Sequence, residues 1–468
     1  MKHVAFSGRL VMLGLGSIGQ GVLPLIVRHI DMPRDRIHVL TADARGMDVA
    51  AEYGVTVTVA PLTRDNYRDL LCPMLSRGDI LLNLSVDVSS VAMVALCQEL
   101  GAMYVDTCIE PWAGGYTNPS LTPSQRSNYA LRESALALAK ASRGGPTALL
   151  AHGANPGLVS HFVKQALLDI ARDTGLSTAA PGTQEGWAQL AQTLGVKVIH
   201  IAERDTQVAK VAKQPGEFVN TWSIDGFTGE GCQPAELGWG THEATLPADA
   251  CRHTFGCDAA IYLTRPGAAT RVRTWTPLEG PFHGFLVTHN ESISIADFLT
   301  CRDGSAVLYR PTVHYAYHPC DDAVLSLHEF AGKNWRLQTQ KRLMMHEIVR
   351  GMDELGVLLM GHRRNAYWYG SRLTIEEARG LVPHNNATSL QVTASVLGGL
   401  IWAIENPRAG IVEADQIDHS RVLEIAQPYL GELAGAYTDW TPLADRNVLY
   451  REDIAANDPW QFKNFRVA

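Results

Sequence analysis

The sequence lacks the features that mark nucleic-acid-binding, disordered and repeat proteins. Its formal net charge at pH 7 is −8, and no basic stripe is present to bind a phosphate backbone, which argues against a nucleic-acid partner. It has no block of like charge and no low-complexity tract, so a disordered tail is not expected. No sequence repeat occurs at the spacing of a solenoid, which excludes that architecture.

Cysteine pairs and long apolar runs are also missing. The eight cysteines include no C-x-x-C pair, and reduced thiols in the cytoplasm are the simplest interpretation for so long a chain. No run of about 20 uninterrupted apolar residues is present, so no membrane-spanning segment is predicted. The stretch from Val11 to Val27 follows Lys2 and Arg9 as a signal-peptide core would, but four glycines, Gln20 and Pro24 interrupt it. We therefore expect a cytoplasmic protein without a membrane partner.

The 468 residues are too many for one ordinary hydrophobic core, so two or three domains are expected. Between residues 10 and 150, short apolar runs alternate with helical patterns, which predicts an α/β domain with a parallel sheet. Strand-like segments such as FLVTHNESISI (285–295) dominate from about residue 195 to 320 and predict a mixed or antiparallel sheet. We predict a Rossmann-type domain over 1–152, a second α+β catalytic domain over 153–380, and a C-terminal helix and tail over 381–468 that pack against the body.

The most informative motif is LVMLGLGSIGQG, in which an apolar run leads into Gly14, Gly16 and Gly19 at G-x-G-x-x-G spacing. In a dinucleotide-binding fold the first glycine makes the tight turn, the second lets the backbone approach the pyrophosphate, and the third lets helix and strand pack closely. The N-terminus of the following helix then faces the phosphates. The motif predicts a nicotinamide dinucleotide site that includes Gly14, Gly16, Ser17 and Ile18.

An acid about 20 residues further on should bind the ribose hydroxyls and favour NAD over NADP. Asp43 fits loosely, one or two residues beyond the usual strand end, and the adjacent Arg45 would instead suit a 2′-phosphate. The sequence therefore does not decide between NAD and NADP as the cofactor. Ligands of open α/β sheets bind at the carboxyl ends of the strands, which predicts further cofactor contacts from the polar residues there: Asn83, Ser85, Asp106, Thr107 and Asn155.

Acidic and aromatic residues recur inside apolar or strand-like segments. Each carboxylate alone is typical of a solvated strand edge, but together they predict a shared anionic pocket. Such a pocket suits an organic cation, with Trp222 as a cation–π platform. The residues of these segments are Glu110, Glu203, Trp222, Glu230, Glu236, His289, Asn290 and Glu291.

Many segments resemble, in the same order, those of the bacterial homospermidine synthases, a family within the saccharopine dehydrogenase-like group. They include GLGSIGQG, NLSVD, YVDTCIEPW, GANPG, HIAERDTQ, VNTWS, FLVTHNESISIADFL and YTDWTPL, and the resemblance covers essentially the whole chain. It implies a homodimer formed through the second domain, and a tightly held NAD that is reduced and reoxidised within one turnover. It also implies the condensation of two putrescines, or of putrescine and another polyamine, with release of ammonia. By resemblance, the polyamine channel is lined by Glu110, Asn155, Glu203, Trp222, Glu230, His289, Asn290, Glu291 and Asp353.

In such a reaction an alkylammonium must lose a proton before its carbon can lose a hydride, at a cost of about 4 kcal/mol near pH 7. A carboxylate pressed on the reacting nitrogen would retain that proton, so most of the carboxylates should hold the distal ammonium. We expect His289, whose ordinary pKa is near neutral, to act as the neutral base. Trp222 is expected to stabilise the flat iminium cation without removing a proton. With Glu203 and Asn155, these residues are the predicted catalytic set.

Two other functions stay open. A saccharopine or carboxynorspermidine dehydrogenase of the same group would consume or produce NAD(P)H, and its carboxylated substrates would require arginines facing the pocket; here only Arg204 adjoins Glu203. The second alternative is a catalytically idle NAD-binding regulator. No metal site is predicted, because the ligand-type residues of His314–Cys320 lack the partners of a tetrahedral set.

Overall fold

The computed structural model describes residues 1–141, 144–176 and 179–467. The amino-terminal part of the chain alternates strands and helices. Its elements are β1 (Val4–Ala5), β2 (Leu10–Leu13), α1 (Ser17–His29), β3 (Ile30–Asp31), β4 (Ile37–Thr41), α2 (Met47–Tyr53), β5 (Thr56–Val59), α3 (Tyr67–Leu71), β6 (Ile80–Asn83), α4 (Ser90–Leu100), β7 (Met103–Asp106), α5 (Asn128–Ala141) and β8 (Ala148–Leu150).

The rest of the chain is richer in strands. Its elements are α6 (Leu158–Asp173), α7 (Gln184–Leu194), β9 (Val198–Asp205), β10 (Val208–Ala209), β11 (Glu217–Asn220), α8 (Ile224–Cys232), β12 (Pro234–Gly238), β13 (Ala250–Arg252), β14 (Ala260–Pro266), β15 (Arg271–Thr276), β16 (Gly280–Phe285), α9 (Asn290–Phe298), β17 (Cys301–Asp303), β18 (Ala306–Tyr309), β19 (Thr312–His318), α10 (Asp321–Gly332), β20 (Gln340–Leu343), β21 (Ile348–Arg350), β22 (Met352–His362), β23 (Asn365–Thr374), α11 (Ile375–Leu381), α12 (Ala387–Glu405), β24 (Ile411–Glu413), α13 (His419–Ala426), β25 (Glu432–Thr438) and α14 (Phe462–Phe465).

A seven-stranded parallel sheet in the order β24-β8-β7-β6-β2-β4-β5 forms the first domain. Its central strands β2 and β6 are apolar except for Asn83 at the end of β6, and both are buried along their full length, as expected for a parallel sheet covered on both faces. The predicted Rossmann-type fold is confirmed. One edge strand, β24, comes from the segment predicted as the tail, so the end of the chain returns to complete this sheet.

A ten-stranded mixed sheet forms the second domain, with the order β13-β14-β12-β19-β9-β22-β23-β25 and the hairpin β15–β16 attached to β19. The neighbouring strands β9 and β19 are parallel, whereas β9 and β22 are antiparallel. This sheet confirms the predicted α+β domain. The prediction of a strand through residues 285–295 is wrong for its second half, because α9 begins at Asn290. Alternating isoleucine and serine look like a strand in sequence, but here they lie in a helix that is buried on nearly every side.

Helix α12 packs against both α1 and α13. It is long and apolar enough to cross a membrane, but 83% of its most apolar window is buried inside the protein. Its first turn is closed by the Asn386 side chain, which accepts a hydrogen bond from the amide of Ser389. Because α12 also contacts β7 and β23, it holds the two domains in a fixed relation.

Candidate active site

The glycine-rich turn between β2 and α1 forms the floor of a groove at the carboxyl edge of the parallel sheet. Gly14 has φ +91°, a conformation that favours glycine. A Cβ on Gly19 would lie 2.4 Å from the Gly14 carbonyl oxygen, so a side chain there would push α1 away from the strand. A Cβ on Gly16, in contrast, would meet no described protein atom within 4 Å. The protein itself does not need that space, which fits the close approach of a ligand.

The N-terminus of α1 faces this groove with free backbone donors. None of the described side chains caps the helix at Gly16, so its first amide groups stay available for an anion. The groove has a volume of about 540 Å³, and these features fit a dinucleotide. Of the predicted cofactor contacts, it is lined by Gly14, Gly16, Ser17, Ile18, Asp43 and Ser85.

Asp43 stands two residues beyond the end of β4 and is paired with Arg45. Arg45 Nε lies 2.9 Å from Oδ1 of Asp43 and Arg45 Nη2 lies 2.7 Å from Oδ2. These hydrogen bonds lower the pKa of the Asp43 carboxyl to about 2. The acid therefore stays ionised, and its arginine partner lies on the same side of the groove.

Asn83 and Asp106 are predicted as cofactor contacts, but the structure buries them beneath the groove. Asn83 Nδ2 donates to the Tyr104 hydroxyl at 3.2 Å, and that hydroxyl donates to Oδ2 of Asp106 at 2.7 Å. The other Asp106 oxygen accepts from the amide of Ala151 at 2.6 Å. Burial raises the pKa of Asp106 to about 6. The two side chains thus tie neighbouring strands together and do not line the groove.

A smaller cavity of about 120 Å³ opens from the groove towards the second domain. Ile18, Leu84, Ser85, Val86 and Ser223 line both spaces, so a molecule in the cavity lies next to one in the groove. None of the residues that line the cavity, all of them described, is lysine or arginine. Its other polar and aromatic lining residues are Thr107, Cys108, Glu110, Asn155, Glu203, Trp222, Glu230, His289, Tyr315 and Thr388.

Strand alternation explains why Arg204 does not enter this cavity. Glu203 and Arg204 are consecutive on β9, so their side chains point to opposite faces of the sheet. Arg204 pairs on its own face with Glu279 at 3.0 Å and Asp321 at 3.2 Å. Arg204, the one arginine beside a predicted channel residue, therefore points away from the cavity and is not available to bind a carboxylated substrate.

Two side-chain hydrogen bonds hold the carboxyl group of Glu203 in the cavity. Its Oε2 accepts a hydrogen bond from Asn155 Nδ2 at 2.8 Å and a second one from the hydroxyl of Tyr315. Burial nevertheless raises the pKa of its carboxyl to about 7. The group can therefore exchange a proton near neutral pH.

Glu110 lies in the loop after β7 and is 2% exposed. Burial, with the charge of Glu230, raises the pKa of its carboxyl to about 8. The Cys108 thiol donates to Oε1 of Glu110 at 3.3 Å. Without a cation in the cavity, Glu110 is mostly protonated at pH 7.

His289 is held between two carboxylates. Its Nε2 lies 3.1 Å from Oε2 of Glu230, and its Nδ1 lies 3.2 Å from Oε1 of Glu291. Burial alone would lower the pKa of the imidazole, but Glu291 and Glu230 raise it to about 10. His289 is therefore an imidazolium at neutral pH. The prediction that it acts as a neutral base is wrong, because its two carboxylate neighbours keep it protonated.

Three residues assigned to the polyamine channel lie behind its wall. Asn290 and Glu291 begin α9 and are buried, and Glu291 reaches the cavity only through His289. Asp353 on β22 accepts from the Thr388 hydroxyl, and burial raises the pKa of its carboxyl. These groups support the lining and do not form it.

Trp222 follows β11 and forms one wall of the cavity. Its ring lies 5.1 Å from that of Phe227, and its indole N–H donates to the Tyr317 hydroxyl at 3.0 Å. Neither Tyr315 nor Tyr317 is among the predicted site residues. Their only signal in the sequence is their alternation in VHYAYH, which brings both to the face of the sheet that carries Glu203.

Comparison with known proteins relates the whole chain to one family. Residues 10–149 match the saccharopine dehydrogenase NADP binding domain, and residues 153–438 match the saccharopine dehydrogenase C-terminal domain. The homospermidine synthase of Blastochloris viridis is 56% identical over 464 residues, which are 98% of this chain and 97% of that protein. The homospermidine synthase of Mesorhizobium japonicum is 51% identical over 468 residues, covering 98% and 96% respectively.

Comparison with solved structures leads to the same family. The crystal structure of a homospermidine synthase from Legionella pneumophila in complex with NAD has a TM-score of 0.93 at 51% identity, and the match covers 100% of this chain and 99% of that one. An apo saccharopine dehydrogenase from Saccharomyces cerevisiae has a TM-score of 0.53 at 10% identity and covers 92% of this chain and 100% of its own. The second match shows a shared fold.

Replacing Gly16 tests whether the groove holds a dinucleotide. In Gly16→Ala the added methyl group fills space that only a ligand would use, so we expect the melting temperature without cofactor to be unchanged and the NAD affinity to fall at least about tenfold. Thermal denaturation with and without NAD measures both quantities. The matched control is Gly19→Ala, which should lower the melting temperature even without NAD because its Cβ meets the Gly14 carbonyl. Unchanged NAD affinity in Gly16→Ala would contradict the assignment.

Proposed function

The chain belongs to the homospermidine synthases of the saccharopine dehydrogenase family, and we propose that it condenses two putrescine molecules to homospermidine with release of ammonia. The observation that carries the proposal is the inner cavity, which three glutamates line and which no described lysine or arginine enters. A diamine is a dication at neutral pH and complements that lining. Saccharopine and carboxynorspermidine carry carboxylates, and the described lining offers no lysine or arginine to pair with them, so the dehydrogenase alternative is less well supported.

The groove has the features that bind NAD. The glycine turn and the uncapped start of α1 suit the pyrophosphate, while Asp43 lines the same groove and is the acid available to a ribose hydroxyl. When bound, NAD accepts a hydride from an amine carbon and later returns one to an imine. Because groove and cavity share lining residues, Ile18 and Ser85 stand where a diamine would meet the cofactor.

The glutamates bind the diamine and orient it. In the free protein, Glu110 and Glu203 keep protons near neutral pH because burial penalises their charged forms. An ammonium group in the cavity stabilises the ionised carboxylates, so the diamine takes the place of protons. Glu110 and Glu230 then hold the distal ammonium, which sets the length of the chain that fits.

Glu203 is the group suited to move protons at the reacting nitrogen. With a carboxyl pKa of about 7, it can take the proton that the reacting ammonium must lose. Asn155 and Tyr315 fix its orientation. His289 already carries its proton, so it holds Glu230 in place and does not act as the base.

The steps balance without a further reactant. The amine carbon is oxidised to an imine, the second amine adds to that carbon, and the bond to the first nitrogen breaks to release ammonia. The new imine is then reduced to the secondary amine, so the cofactor ends in its starting state. Trp222 supports the cationic iminium through its ring face.

We also propose that the protein is a cytoplasmic homodimer. The eight cysteines are all free thiols, which supports a reducing compartment, and the family resemblance supports the dimer. Light scattering of the purified protein should give twice the chain mass of 51.1 kDa. A mass of one chain at working concentration would contradict the dimer.

The reaction is tested with putrescine and a small amount of NAD. We expect ammonia and homospermidine in equal amounts, with no net formation of NADH, because the cofactor returns to its oxidised form in each turnover. Mass spectrometry and an ammonia assay measure the products. Steady accumulation of NADH would favour the dehydrogenase, and the absence of turnover would favour an NAD-binding regulator.

The affinity for putrescine should depend on pH with a defined sign. The pKa values of Glu203 and Glu110 are about 7 and about 8 in the free protein, and only the ionised carboxylates bind an ammonium strongly. The KM for putrescine should therefore fall as the pH rises through this range, while the amines remain protonated. In Glu110→Gln the part of the decrease near pH 8 should disappear. A KM that is constant or rises between about pH 6 and pH 8.5 would contradict the assignment.

A further inference from the structure

Two stacked tyrosines on β19 connect Trp222 to Glu203. The rings of Tyr315 and Tyr317 lie 5.0 Å apart and within 8° of parallel. The Tyr315 hydroxyl donates to Glu203, and the Tyr317 hydroxyl accepts the indole N–H of Trp222 at 3.0 Å. Tyr317 is fully buried, and its backbone partner on β9 is Glu203 itself.

This hydrogen bond is the polar anchor of the Trp222 indole. The ring also packs on Phe227, at a distance of 5.1 Å and a tilt of 45°, and its six-membered part lies next to Gly226. Apolar packing has no preferred direction for the indole N–H, whereas a hydrogen bond at that atom fixes the plane of the ring. The plane matters because an aromatic ring attracts a cation over its face and repels it at its edge.

We propose that Tyr317 is a positioning residue, which accepts the indole N–H and so holds the ring face of Trp222 toward the cation that forms in the cavity. Tyr315 keeps Tyr317 in place by stacking. The inference rests on the proposed function, since the orientation of Trp222 affects turnover only if a cationic intermediate develops beside it. Tyr317 itself lines neither the inner cavity nor the cofactor groove.

The effect of Tyr317 should fall on kcat and spare KM. The glutamates bind the ammonium groups of the ground state, whereas the indole acts on the flat cation that appears later, so loss of its orientation removes stabilisation of that state alone. In Tyr317→Phe the hydroxyl is gone and the ring stacking is kept. We expect kcat to fall about tenfold and the KM for putrescine to stay within about twofold.

A matched control separates this role from the general loss of a buried hydroxyl. Tyr309 donates its hydroxyl to the carbonyl of Val196 at 2.8 Å, just before β19 and outside the cavity. Tyr309→Phe removes a comparable hydrogen bond, and its kcat should equal that of the wild type. An equal loss of kcat in both variants would overturn the inference.

A double-mutant cycle tests the connection to the indole. Phenylalanine has no N–H, so in a Trp222→Phe background Tyr317→Phe should cause no further loss of kcat. The inference is overturned if the two losses multiply, or if Tyr317→Phe alone has wild-type kcat while homospermidine is still formed. If Trp222→Phe alone has wild-type kcat, the indole N–H is not needed to orient the ring, and the inference is overturned. Failure of the proposed function is distinct, because then no variant forms homospermidine.

A second variant covers the case in which Tyr317→Phe does not fold. Replacing Trp222 with 3-benzothienylalanine keeps the size and aromatic face of the side chain and removes only its N–H donor. The hydrogen bond to Tyr317 is then lost from the other side, so kcat should again fall about tenfold. Wild-type kcat in this variant would overturn the inference.

Discussion

The central constraint on this protein is a cavity that buries several carboxyl groups with no described lysine or arginine in its wall. An ionised carboxylate loses its hydration when buried, at a cost of several kcal/mol. The structure offsets that cost in two ways. Glu110 and Glu203 retain protons, as their raised pKa values show, and His289 is held as a cation between Glu230 and Glu291. The cavity is thus ready to exchange protons for the ammonium groups of a diamine, which explains why the same fold can serve a cationic substrate.

Neither domain contains this cavity alone. Glu110 lies beyond the end of a strand in the parallel sheet, whereas Glu203 and Glu230 come from the mixed sheet and from α8. The glycine turn that suits the cofactor belongs to the first domain, and the acids that suit the substrate are contributed mostly by the second. Helix α12 and strand β24 fix the two sheets to one another. The C-terminal segment therefore has to pack against the first domain, because this packing holds the cofactor groove next to the substrate cavity.

Features set by local sequence could be predicted, while those set by distant partners could not. The glycine motif defines its turn within six residues, so its role follows directly from spacing. Asn83 and Asp106 occupy strand ends like genuine ligand contacts, but the hydroxyl of Tyr104, which no local pattern connects to Asn83, draws them into the sheet. The sequence shows Glu291 two residues from His289, yet the second carboxylate on that ring comes from 59 residues away. A histidine with one acid neighbour and a histidine between two acids differ in charge, and only the fold distinguishes them.

The division of roles among the cavity groups follows from how firmly each holds its proton. A group that takes a proton from an ammonium and later returns one to a leaving amine must exist in both forms near neutral pH, and a pKa of about 7 places Glu203 there. His289, with a pKa of about 10, keeps its proton throughout and contributes a constant positive charge that orders the acids around it. Trp222 can stabilise a cation and cannot remove a proton at all. A diamine held by these three kinds of group can lose one proton to Glu203 at one end, keep the charge at the other, and form its cation beside an aromatic face that cannot take a proton from it.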